Sequence, residues 1–279
     1  MSLRWKSLPR WQKQNKYIRS GYRKASYSYY RSAKDIAGWH NETVNIWSHL
    51  FGAITFSLFL IQFLAQSGTL TLDVVAVVTF FLGVIVCFTL SFLHHLLSNH
   101  SRKVMILAQR LDHFGIVVVI WSTAVSFIYF AFYYDRQLQV YHFGVITAAA
   151  LLATLCVSQP IFRHPESRAT RTLTFFALGF SATLPAMSLV VHHWEATHCQ
   201  TILLASYRNL IILNSVGGIL HCMQIPERFC WDAFDVLGAS HQIMHIMAVW
   251  GALLYRAGLL AARQAWQRES AIGLACTTE

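Results

Sequence analysis

The stretch "SHQIMHIMAVWGALLY", residues 240–255, decides how this chain is read. Most of it is apolar enough to lie in lipid, yet it opens with His241 and His245, four positions apart. Four residues make one helical turn, so both imidazoles share a face. Two polar rings on one face of a lipid-spanning helix need partners at the same depth.

The rest of the chain supports a bilayer setting. Hydrophobic residues make up 55% of the 279 and charged residues 12%, against about 25% charged in soluble domains. Mean hydropathy is positive. Seven stretches approach the ~20 apolar residues that a spanning helix needs: Val44–Leu64, Leu72–Leu93, Gly115–Tyr134, Val140–Gln159, Leu173–Val191, Leu203–Cys222 and Leu237–Tyr255. Their short connections predict an all-α membrane protein, a seven-transmembrane helix bundle over 41–262. A basic segment, 1–40, precedes it and a short tail, 263–279, follows. The first forty residues hold no apolar signal-peptide region. There is no internal repeat. The six cysteines form no CxxC pair. Cys87, Cys156 and Cys222 lie in apolar runs, as small buried hydrophobes do. Pro185 is expected to kink the fifth helix.

Basic residues set the orientation. Segment 1–40 carries ten Lys/Arg and one acid, Asp35. The turns after the second, fourth and sixth runs carry Arg102, Lys103, Arg110, Arg163, Arg168, Arg171 and Arg228. The opposite side holds only Arg136, Arg208, Arg256, Arg263 and Arg268. This bias predicts a cytosolic N-terminus and an extracellular or lumenal C-terminus. The basic segment reads as a topology signal touching anionic headgroups, and few basic residues remain outside it to engage nucleic acid. Asn41–Thr43 reads "NET", an N-glycosylation pattern, and its cytosolic placement predicts that it is unused. Arg208 is expected to snorkel to the headgroups.

The partners of the two histidines lie near the same cytosolic boundary. The second run closes on "LSFLHHLLSNHS" (90–101), where Ser91 and His95 share a face. The third opens on "RLDHFG" (110–115), with Asp112 expected in its first turn. His95, Asp112, His241 and His245 therefore reach one level, and ionisable groups inside spans point to function. Three His and one carboxylate suit Zn2+, whose catalytic sites keep three protein ligands and leave the fourth position to water. A nearby Asp can orient or deprotonate that water. No Glu follows His241, so this is not the soluble HExxH pattern. His94 is expected to point elsewhere. His49, His142 and His221 read as packing rings. His192, His193, His198 and Cys199 form a weaker second cluster at the outer face.

Five motifs in this order carry a family resemblance: "HNETVNIWSHLFG" (40–52), "SFLHH…NHS" (91–101), "LDHFGI" (111–116), "IPERF" (225–229) and "SHQIMH" (240–245). Together they resemble the adiponectin receptor family, that is, the progestin and adipoQ receptor family with its haemolysin III relatives. The short N-terminal arm is similar to that of fungal or other non-vertebrate members. The resemblance implies zinc bound by His95, His241 and His245, water positioned by Asp112, and a Ser91 hydroxyl that could donate to an oxyanion. It further implies ceramidase-type hydrolysis of lipid amides alongside a receptor role, with ceramide or fatty acid among its membrane-lipid partners. A receptor role adds an extracellular protein or small-molecule ligand. The alternatives are a non-catalytic receptor with structural zinc, or a protein of zinc or sterol homeostasis. A zinc transporter is the weakest reading, because one cluster at one end makes no path. The expected location is the plasma membrane or an endomembrane.

The orientation has a direct check. An N-terminal tag should be accessible to antibody only after permeabilisation, and a C-terminal tag without it when the protein reaches the cell surface. The reverse staining would overturn the orientation.

Overall fold

The computed structural model describes residues 3–163, 167–192 and 197–276. After a six-residue helix, α1 (Tyr29–Lys34), come seven long ones: α2 (Thr43–Ser67), α3 (Leu72–Leu97), α4 (Arg102–Ala131), α5 (Arg136–Ser158), α6 (Arg168–His192), α7 (His198–Met223) and α8 (Ser240–Cys276). All seven are long and apolar enough to cross a membrane. Polar side chains start several of them. Ser101 accepts from the Val104 amide and Asp135 from the Leu138 amide. Thr197 and Gln200 form a reciprocal capping box on α7, which satisfies amides that have no partner within the helix. Pro185 lies inside α6.

Consecutive helices pack against one another, α8 closes back onto α2, and α4 also touches α6, α7 and α8. Small residues allow the closest approaches. A Cβ added at Gly115 would lie 3.0 Å from the Cys87 Cα, so α3 and α4 meet almost backbone to backbone there. The half of the bundle away from the N-terminus is filled by rings: Phe56, Phe80, Phe127 and Tyr255 are essentially inaccessible. The Tyr255 hydroxyl meets Ser126 Oγ at 2.9 Å. At that end Arg263 of α8 donates to Asp73 of α3 at 2.7 Å. This buried pair explains how α8 continues to Cys276 through the residues expected as a tail. Residues 277–279 lie outside the described residues.

Helix α4 is also longer than its hydropathy suggests, because Arg102, Lys103, Gln109, Arg110 and Asp112 interrupt the apolar residues of its first three turns, which Ser101 caps. Asp112 consequently sits in the third turn, not the first.

The basic arm is a folded cap, which composition alone does not reveal. Leu3 pairs with Tyr22 in an antiparallel bridge. Leu8, Ile18 and Tyr22 pack with Ala239 just before α8. Gly21, at φ +80°, lets the chain pass between Asn41 and Val236, where a Cβ would crowd both. Buried Asp235 accepts from the Arg19 amide at 2.8 Å and from Ser20 Oγ at 2.6 Å. The Arg19–Asp232 pair, at 3.9 Å with both side chains exposed, adds little beside them. Most of the arm's basic side chains stay exposed, in keeping with a topology signal, but Arg23 turns inward. It donates to the carbonyls of His95 at 2.5 Å and Leu96 at 3.0 Å, and to Ser98 Oγ at 2.9 Å, closing the end of α3. Burial holds its pKa below the usual value, partly offset by the charges of Glu42 and Asp35.

Asp235→Ala leaves the Arg19 amide and the Ser20 hydroxyl without their acceptor, at a cost of about 1–3 kcal/mol. That raises undocking of the arm by roughly ten- to a hundredfold. Tryptic cleavage at Lys13, Lys16 and Lys24 should accelerate accordingly. Unchanged cleavage would show that the apolar contacts hold the arm alone.

Candidate metal centre

His241 and His245 occupy the first two turns of α8, and His95 lies near the end of α3. The bundle brings their Nε2 atoms together: His241 Nε2 is 3.2 Å from that of His95 and 3.2 Å from that of His245. A four-coordinate ion held by imidazoles at about 2.0–2.1 Å separates neighbouring nitrogens by about 3.3–3.4 Å. The two observed separations match that spacing, and His95, His241 and His245 form a cluster that could hold a metal ion.

The opposite edges of the rings are held from outside. His95 Nδ1 lies 2.7 Å from Glu42 Oε2, and His241 Nδ1 lies 3.1 Å from His221 Nδ1. His245 stacks on His49 with centroids 3.8 Å apart. Outward Nδ1 bonding leaves Nε2 as the inward lone pair. The N-terminus of α8 is fixed by buried Glu227 of the "IPERF" turn, which accepts from the Ser240 amide at 2.8 Å and from its hydroxyl at 2.5 Å. Glu227 also accepts from Asn15 of the arm at 3.0 Å. The register that aims His241 is therefore set by the turn and the cap together.

Asp112 joins from α4. Its carboxylate lies within 4.8 Å of ring nitrogens of His94 and His95, with buried Ser91 close by. The close approach at Gly115 and Cys87, one turn away on each helix, presses this pair together. His94 does not point away from the site as its position beside His95 suggests. It lies next to Asp112, and its Nδ1 is buried without a partner. Asp112, His94, His95 and His241 line one cavity of about 190 Å³ that reaches the arm at Trp11, Asn15 and Arg23.

Glu42, His221 and Arg23 also join the site: His221 is expected from the sequence only as a packing ring, and Glu42 and Arg23 carry no expectation. Glu42 lies within "NET" at the polar edge of an apolar run, so the depth argument that selects Asp112 selects it as well. His221 resembles any lone ring in an apolar run, and Arg23 any basic residue of the arm. Of the outer cluster, His193 and the His192 side chain lie outside the described residues. Cys199 is buried, and its amide donates to Glu269. Cys87, Cys156, Cys199, Cys222 and Cys230 carry free thiols.

The chain matches the haemolysin-III-related family over residues 37–255. It belongs to that family. Within this adiponectin receptor-like group it is 32% identical to the ADIPOR-like receptor IZH2 of Saccharomyces cerevisiae, across 92% of this chain and 82% of the relative. It is 30% identical to the adiponectin receptor protein of Drosophila melanogaster, across 91% of this chain and 58% of the relative, so it spans little more than half of the fly protein. It is 27% identical to heptahelical transmembrane protein 3 of Arabidopsis thaliana, with 91% and 85% covered. Family membership and the seven apolar helices together make it an integral multi-pass membrane protein of this group.

The cluster predicts about one transition-metal ion per chain, by analogy with three-ligand sites, measurable by elemental analysis of purified protein. His241→Ala should lose most of it. His100→Ala, whose ring instead bonds Ser101 and lies against Tyr29, should keep it. Equal metal content in parent and His241→Ala would separate the cluster from any metal.

Proposed function

We propose that this chain is a zinc-dependent hydrolase of lipid amides, with ceramide-type substrates, whose arm side faces the cytosol. One observation carries the reading: the imidazoles of His95, His241 and His245 converge, with two Nε2–Nε2 separations of 3.2 Å, close to Ser91 and Asp112 and at the rim of a cavity between membrane-spanning helices. His95, His241 and His245 are the proposed ligands. Zinc, when bound, supplies Lewis acidity at its fourth coordination position.

The other groups do the proton work. Asp112 orients a water against the amide carbonyl and accepts its proton as the carbon–oxygen bond forms. It then returns that proton to the nitrogen as the carbon–nitrogen bond breaks, giving a fatty acid and a free amine. Ser91, beside Asp112, offers its one hydroxyl proton to the developing oxyanion. A substrate that stays in the bilayer reaches such a site without passing through water.

A receptor reading is favoured by the relatives' names, which call the fly and yeast proteins receptors. It is also favoured by the contacts that couple the arm to the cluster through Arg23 and Glu227. In that reading the zinc is structural, and a ligand on the far side acts through the arm.

Asp112→Asn separates the two. It keeps the shape but removes the base. It should retain zinc and fold while losing ceramide hydrolysis by roughly 10²–10⁴-fold, with Ser91→Ala costing less. Indistinguishable rates in purified parent and Asp112→Asn at matched zinc content would favour the receptor with a structural metal.

A further inference from the structure

We propose that Glu42 is a positioning residue of the metal centre, holding the His95 ring in the tautomer and orientation that present Nε2 to the ion. The proposal rests on the zinc reading above and adds a residue to it. Glu42 precedes α2, while His95 closes α3, 53 positions later. Even so, Glu42 Oε2 lies 2.7 Å from His95 Nδ1, the short separation of a hydrogen bond to an ionised group.

The carboxylate is itself held still. Asn45 Nδ2 donates to the same oxygen at 2.7 Å, and Asn41 Nδ2 reaches Oε1 at 3.4 Å. Histidine ligands commonly donate their second N–H to a carboxylate, which raises the basicity of the coordinating nitrogen and stops the ring rotating. The other two rings differ. His241 Nδ1 meets a neutral-type partner, His221, and His245 Nδ1 is buried without one. Among the described residues, Glu42 is the one carboxylate that touches a proposed ligand. Its charge therefore acts on the metal through the His95 ring.

The alternative is a purely mechanical tie between α2 and α3. Glu42→Gln distinguishes the two, because glutamine keeps an acceptor for Nδ1–H and removes only the charge. Zinc affinity would be measured by competition with a chromophoric chelator in purified parent, Glu42→Gln and Glu42→Asp, with melting temperatures recorded without metal. The expected result is a 10–100-fold loss of zinc affinity in Glu42→Gln, partial recovery in Glu42→Asp, and metal-free stability close to the parent's. Cobalt-substituted Glu42→Gln should also show shifted visible bands at saturating metal, which a mechanical tie does not produce. Equal zinc affinity and unchanged cobalt bands would overturn the proposal. Should Glu42→Gln not fold, Asn45→Ala frees the carboxylate to swing. An affinity drop there supports the proposal, and an unchanged affinity overturns it. A parent that binds no zinc would sink the zinc reading itself, whereas a zinc-binding parent with unaffected variants would sink only the role of Glu42.

Discussion

Three imidazole edges meet inside a bundle that lipid surrounds, and much of the molecule follows from having to hold them there. Within a bilayer a polar atom without a partner is costly, because no water is available to replace one. Nitrogen lone pairs turned toward one another at 3.2 Å need an ion or shared protons between them. The outer edges of His95 and His241 find partners in Glu42 and His221, while the face of His245 is covered by the stacked ring of His49. Each of these residues belongs to a different helix or turn, so the cluster acts as a tie among α2, α3, α7 and α8.

The two ends of the bundle meet this demand differently. Away from the arm, rings such as Phe80, Phe127 and Tyr255 fill the space, and the Asp73–Arg263 pair fastens α3 to α8. Toward the arm the helices enclose a cavity instead, and the chain folds its N-terminal segment across the mouth. The same segment places a guanidinium on the carbonyl of His95 and an amide on Glu227. Movement of the arm and geometry of the cluster are therefore mechanically linked, whichever of the two functions the centre serves.

Particular residues mark how far the sequence reading extends. The seven spans are legible because lipid imposes a length and a hydropathy that few soluble segments share. His241 and His245 are legible because i, i+4 spacing fixes a common face. The boundaries of α4 and α8 are less so. A polar first turn and a paired arginine both lower hydropathy without ending a helix. Glu42 hides inside a pattern that reads as a sugar acceptor, and His94 reads as facing away because it adjoins His95, although the fold sets it beside Asp112.

What the sequence determined by itself, then, is the family, the number of spans and the residue types that can converge at one depth, since these follow from local composition and helical period. Only the tertiary structure decided that the nitrogens of His95, His241 and His245 stand close to metal spacing, that His94 lies beside Asp112, and that the basic arm is a cap. Those outcomes depend on how closely α3 and α4 approach at Gly115, where the "IPERF" turn starts α8, and which carboxylates end up inside. Each is a packing distance between residues far apart in the chain, and no local period encodes it.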